Sequence, residues 1–167
     1  MSTRSEALAA RLEQGARLLE AVALGLSDAD WVRRGGSDKR PLGVVIHHVA
    51  SVYPVEIALA QTIARGDRMT GVTMADINAM NAEHARTSEG VTREQVIEAI
   101  RKNSAEAAEA IRRLTDEQLD RAIPASLYGD APVTAQFVLE DHAIRHSWHH
   151  MDAIRRLLAS RPLRAAS

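Results

Sequence analysis

The chain has 167 residues, of which 46% are apolar and 26% charged, and a formal net charge of −1. At this length roughly two-thirds of the unfolded chain's surface can be buried, so a single domain over residues 1–167 can hold a core without staples. The balanced charge argues against a nucleic-acid partner, and the absence of cysteine excludes disulfides, thiolate ligands and a cysteine nucleophile.

Aromatic residues make up only 3%, so the core must come from Leu, Ile, Val, Ala and Met, a palette that favours helices. The opening "MSTRSEALAARLEQ" is polar and periodic, unlike a signal peptide, and no run reads as membrane-spanning. The expected location is the cytoplasm, with a small-molecule substrate and no membrane partner.

The first helix is predicted from Ser5 to Leu26, with Leu8, Leu12, Leu19, Val22 and Leu26 at helical spacing. Ser27 with Asp30 three residues on reads as the cap of a short turn, and "RRGGSDKRP" as a loop. The second helix is predicted from Pro41 to Arg65, with Pro41 in its first turn and Gly66 as its stop. Leu42, Val45, Val49, Val52, Leu59, Ala60 and Ile63 share one face. Pro54 inside this span predicts a kink.

The connection from Gly66 to Val91 is long for a bundle and carries a short helix in "MADINAMNAEHA". Its length permits the next helix to run parallel to the second. That third helix opens at Thr92, where Gln95 completes a capping box, and runs to Leu114 through Val96, Ile100, Ala107 and Ile111. "TDEQ" at 115–118 repeats the capping signal. "AIPASLYGDAPV" reads as a Pro/Gly loop suited to a lid or rim. The fourth helix is predicted from Thr134 to Ser160, followed by a frayed tail, "RPLRAAS". Four long helices and no convincing strand give an all-α fold, a four-helix bundle with a long crossover between helices two and three.

The fourth helix contains "HAIRHSWHH" at 142–150, four of the chain's seven histidines. On a wheel of about 100° per residue, Ala135, Leu139, Ala143, Ala153, Ile154 and Leu157 form a core arc. His142, His146 and His150 fall within it, with His146 near its centre, His149 at its edge, and Arg145 and Asp152 outside. Leaving a buried imidazole nitrogen unpaired costs about 1–3 kcal/mol, and one divalent metal ion can satisfy several at once. Histidines at i and i+4 project two nitrogens side by side, the geometry that metal-binding helices use. A third ligand must come from another helix. His48 lies at the edge of the second helix's core arc, whereas His47 points roughly the opposite way and reads as a surface residue. Glu56 is a carboxylate on an apolar face, suited to accept a ligand's free N–H or to act as a general base. His142 stands either as a ligand or as a pocket wall one turn away, and His84 reads as exposed or capping. A second stripe, Phe137, Ile144, Trp148 and Met151, lies opposite the histidines and predicts a homodimer interface anchored by Trp148.

A helix-two histidine in "HHVAS", the short "LSDADW" element, the long crossover and H-x-x-x-H in "HSWHHMDAI" together resemble the DinB-like superfamily of metal-binding four-helix bundles. The "NAMNAEHA" segment is similar to the mycothiol-dependent maleylpyruvate isomerase branch. By position, the resemblance implies a trio of His48, His146 and His150, because "MDAI" after His150 selects that pair over His142 and His146. It implies zinc or nickel on three imidazoles with a position left open, and activation of water or of a low-molecular-weight thiol supplied as cosubstrate. Glu56, or Asp141 from off the core arc, would tune a ligand or move a proton. The implied activity is that of a thiol S-transferase or a hydrolase; a non-enzymatic metal-binding stress-response protein is the alternative. Two departures bear on substrate contacts: Ala153 stands where members often have glutamine, and Arg40 where many have tryptophan.

Overall fold

The computed structural model describes residues 2–35 and 39–160. The expected frayed tail, 161–167, and residues 36–38 of the first loop lie outside the described residues. Four helical rods carry the architecture: α1 (Thr3–Gly25), α3 (Leu42–Arg65), α5 (Arg93–Arg112) and a composite last rod, α7 (Ala135–Val138) continued by α8 (Arg145–Ala159). Between them lie the short helices α2 (Asp28–Trp31), α4 (Met74–Thr87) and α6 (Asp116–Asp120).

Local signals set most boundaries. Ser2, Ser27, Thr73, Thr92 and Thr115 each accept a backbone N–H at a helix start, and the last three complete capping boxes. Gly66 ends α3 at φ 90°, a left-handed conformation that glycine adopts without a Cβ clash. Gly43 serves a different purpose: a Cβ there would stand 2.3 Å from the Trp31 ring.

Inter-helix contacts fix the directions. Arg112 pairs with Glu6 and Glu13, Arg101 with Glu20, and Arg93 bonds the Ala23 carbonyl, so α1 and α5 are antiparallel. Trp31, packed on Gly43 near the start of α3, donates to the Val91 carbonyl just before α5. Beyond the other end, Arg121 donates to Ala64 near the close of α3. Helices α3 and α5 therefore run parallel, the arrangement that the long crossover permits. Arg4 bonds Gln136 and Arg11 bonds Glu140, so the last rod runs with α1. The order is up, down, down, up.

Helix α3 occupies the centre. Ile46, Val49, Ala50, Tyr53, Ala60 and Ile63 are fully buried on it, among Leu12, Leu19, Ile100, Ile111, Leu139, Met151 and Ile154 from the other rods. Contrary to the sequence-based expectation, it is long and apolar enough to cross a membrane, with a mean hydropathy of 1.5 over its most apolar window. Two-thirds of that window (67%) is buried within the bundle, which accounts for its apolar character. Pro54 interrupts its hydrogen-bond ladder without ending the helix. Proline has no N–H to give the Ala50 carbonyl, and Asn103 Nδ2 on α5 supplies the missing donor at 2.9 Å.

Two expectations are corrected. The Pro/Gly loop is a β-hairpin: β3 (Ala122–Ala125) pairs antiparallel with β4 (Ala131–Thr134), with Pro124 opposite Pro132. Two prolines can face each other where neither strand needs that N–H, and Gly129 and Asp130 turn the chain at φ 65° and 62°. A second ladder, β1 (Arg34–Gly35) with β2 (Arg40–Pro41), frames the first loop. The last rod is not a continuous α-helix either: residues 139–144 form a π-helical turn. That turn rotates everything after it. Ser147 and Met151 point inward, Ala153 is exposed, and Ile144 is 4% exposed. The expected dimer stripe is thereby divided, with Ile144 and Met151 in the core and Phe137 and Trp148 on the surface.

Candidate metal centre

Helix α3 presents His48 and Glu56 two turns apart on its buried side, and α8 presents His146 and His150 one turn apart. Because the last rod is antiparallel to α3, these pairs meet. His48, His146 and His150 each place a ring nitrogen such that all three lie within 4.8 Å of one another. His48 Nε2 and His146 Nε2 are 3.2 Å apart. Two nitrogens bound to one tetrahedral zinc, each about 2.0–2.1 Å from it, would be about 3.4 Å apart. The His48–His146 spacing is close to that value.

The protonation pattern agrees. Glu56 Oε1 lies 2.5 Å from His146 Nδ1. A carboxylate accepts from the ring, so Nδ1 is the donor to Glu56 and His146 Nε2 is the nitrogen that faces His48 and the common point. Burial, reinforced by the neighbouring histidines and Arg40, lowers the His48 pKa to about 2. Burial, followed by His146, His149 and Arg40, lowers that of His150 to about 3. Both rings are neutral at physiological pH, the form that ligates a metal. Glu56 is only 5% exposed, and its Oε2 has no hydrogen-bond partner among the described residues.

Two clefts meet at this point. One, of about 120 Å³, has an apolar wall that includes Val52, Leu59, Ile77, Met80 and Leu127. Helix α4, which buries none of its own residues, contributes Met74, Ile77 and Met80 to that wall. The other, of about 330 Å³, is polar and includes Arg40, Asp141, Arg145, His149 and His150. His48, Asn81, His142 and His146 line both.

The remaining sequence candidates fall around this centre. His142 stands in the cleft wall outside the trio, its Nε2 2.6 Å from Tyr128 Oη. Asp141 accepts from Tyr128 at 3.2 Å and from Arg145 at 3.0–3.1 Å, placing it in the wall of the polar cleft. His47 is not a plain surface residue: its Nδ1 lies 3.0 Å from His84 Nε2, and the rings stack. His84 is half-buried against His47 and His48, and burial, then His47 and Arg40, lowers its pKa to about 4. The α4 wall, Asn81 and Tyr128 were not anticipated from the sequence. Tyr128 had one available signal, as a polar aromatic in a Pro/Gly-rich connection of a chain with two tyrosines. The hairpin that carries it is pinned through Ser126 to Met69 and Val72 at the start of the crossover.

The sequence profile of the DinB superfamily matches residues 11–154. No curated protein matches the chain significantly. Among solved structures, it is similar to YfiT from Bacillus subtilis, described as a probable metal-dependent hydrolase with an unusual four-helix bundle topology. The TM-score is 0.73 at 14% identity, over 95% of this chain and 89% of that one. It is also similar to a DinB-like protein, YjoA, from Bacillus subtilis, with a TM-score of 0.58 at 16% identity over 95% and 96%.

Proposed function

Because this chain belongs to the DinB superfamily, we propose that it is a metal-dependent enzyme in which His48, His146 and His150 hold one divalent ion, zinc or nickel. The observation that carries this reading is the convergence of three imidazoles, one of them held by a buried carboxylate. Structural zinc sites use four protein ligands, whereas three leave a position for reactants. When bound, the ion lowers the pKa of a coordinated water or thiol and polarises an electrophile.

The chain's own groups divide the remaining work. Glu56 Oε1 fixes the His146 ring, and Glu56 Oε2, buried and facing no other donor among the described residues, is placed to take the proton that an activated water or thiol releases. The apolar cleft excludes water from one side of the centre. Tyr128, hydrogen-bonded to both Asp141 and His142, orients the His142 ring at the seam of the two clefts. The hydrolase arm is supported by the description of YfiT. The thiol-transferase arm is compatible with the absence of cysteine, since the sulfur would arrive with a cosubstrate.

The test is elemental analysis of the purified protein, followed by turnover assays on zinc- and nickel-loaded samples. The panel comprises esters, amides and electrophiles, maleylpyruvate among them, each with and without mycothiol, bacillithiol or glutathione. Metal-dependent turnover that is lost in His146→Ala is expected. One bound ion without turnover across the panel would favour a non-enzymatic metal-binding role. Absence of an ion, with His146→Ala unchanged in stability, would overturn the metal reading.

A further inference from the structure

The two clefts reach the centre with different groups. His48 and His146 line both, His150 lines only the polar one, and Glu56 lines only the apolar one. Glu56, whose Oε2 is unpartnered among the described residues, thus belongs to the apolar side. Helix α4 supplies the outer wall of that side. Met74, Ile77, Asn81 and His84 follow at spacings of three, four and three residues, so they share one face of it. The first three line the cleft, and His84 stacks on His47. Met74 and Met80 nevertheless stay 58% and 39% exposed, and Val55, lining the cleft from α3, 40%. Exposed apolar side chains gathered round a concavity that ends at ionisable groups mark a place for an apolar occupant. The lining contains no lysine or arginine among the described residues, so an anionic group there would meet Glu56 without a cation to offset it. The volume bounds the size. An aliphatic cavity of about 150 Å³ holds one benzene molecule, and this cleft measures about 120 Å³.

From this arrangement, and resting on the reading of the trio as a metal-dependent active site, we infer that the substrate carries a compact, uncharged apolar arm beside its reacting bond. The arm is a short alkyl or phenyl group of about four to six carbons. It fills the cleft between α3 and α4, and the reacting bond lies against His48 and His146, with Glu56 on the arm's side. Methionine adapts to straight, branched and aromatic neighbours alike, so the cleft selects by polarity and length more than by shape. Met80, on the exposed wall, acts here as a specificity residue for the arm.

The test is an NMR titration of protein labelled with carbon-13 at its methionine methyls, both metal-loaded and metal-free. The probes are ethanol, propan-1-ol, butan-1-ol, pentan-1-ol and octan-1-ol, with benzyl alcohol as the aromatic member. The Met74 and Met80 signals, assigned from Met74→Leu and Met80→Leu, should move. That of Met151, fully buried in the core, should not. Affinity should rise about fourfold per methylene up to pentan-1-ol and level off by octan-1-ol, once the cleft is full. Butane-1,4-diol, in which a hydroxyl replaces the terminal methyl of pentan-1-ol, should bind at least about fivefold more weakly. Met80→Asp, at a partly exposed position, should abolish most of the length dependence, and Met80→Leu should retain it. Equal affinities along the alcohol series, or for pentan-1-ol and butane-1,4-diol, overturn the inference on the unaltered protein, without dependence on any variant. A length dependence that leaves the Met74 and Met80 signals unmoved, or survives in full in Met80→Asp, overturns it as well. Failure of the metal reading appears separately, as absence of the ion by elemental analysis, while the alcohol series is still read on the metal-free protein.

Discussion

Replacing Glu56 by glutamine tests the centre at its least solvent-accessible support. Glu56 Oε1 is 2.5 Å from His146 Nδ1, and the side chain is 5% exposed, so the interaction is charge-assisted and little weakened by water. Removing such a partner of a ligating histidine typically costs 10–100-fold in metal affinity, about 1.4–2.7 kcal/mol. Glutamine keeps an acceptor but loses the charge, so Glu56→Gln should fall near the tenfold end. Glu56→Ala also frees the His146 ring to turn and should approach the hundredfold end. The assay is competition for zinc between metal-free protein and a chromophoric chelator at neutral pH, with circular dichroism to confirm that each variant is folded. Zinc affinities of both variants indistinguishable from the parent would refute the argument that Glu56 sets the His146 tautomer and orientation.

Three further outcomes follow from the same structure. His146→Ala leaves the buried Glu56 without its only recorded partner among the described residues. It should destabilise the metal-free protein by about 3–5 kcal/mol in urea unfolding, and the double variant His146→Ala/Glu56→Gln should recover part of that loss; equal losses would show that the pair is not coupled. Asn103→Ala should cost about 1 kcal/mol by orphaning the Ala50 carbonyl, and less in a Pro54→Ala background, where the helix regains its own donor; strictly additive effects would refute the compensation. Finally, the pKa values of His48 and His150 are lowered to about 2 and about 3 in the folded state, so below about pH 6.5 the unfolded chain binds protons that the folded chain does not. Stability of the metal-free protein should therefore fall as pH drops from 7 toward 5, above the range in which carboxylates dominate. A flat urea midpoint over that interval, or the same slope in a His48→Gln/His150→Gln variant, would count against it.

Much of this centre was legible because helical periodicity is a local property. The i, i+4 pair of His146 and His150 requires only a helix, and His48 and Glu56 were marked by a polar group intruding on an apolar stripe. The topology was legible too: a crossover from Gly66 to Val91 leaves room for a parallel return, and the contacts of Trp31 and Arg121 show that the chain uses it. The cleft walls were not legible. Helix α4 buries nothing of its own, so its methionines carry no periodic signal of burial, only proximity to a site that the fold creates. The hairpin was hidden by its prolines, which ordinarily argue against strands. Arg40 was visible only as a departure from a family pattern, and its relation to three histidines depends on the β1–β2 ladder.

The π-helical turn at 139–144 accounts for the largest discrepancy and bears most directly on function. A regular wheel put His146 at the centre of the core arc, where three imidazoles would be sealed among leucines. An extra residue in the turn lets both Leu139 and Ile144 stay buried and advances the following helix by about 100°. Ser147 and Met151 take the core positions, and Ser147 Oγ bonds the buried Tyr53 hydroxyl at 2.7 Å. His146 and His150 move to the boundary, with the His146 side chain 20% exposed, close enough to Glu56 to be fixed by it and open enough to meet both clefts. A straight helix could satisfy the core or display the histidines at the rim, but the spacing of this sequence does not allow both. The π turn resolves that conflict, and it does so just before the His146/His150 pair, where a single extra residue turns an inward-facing stripe into an accessible one.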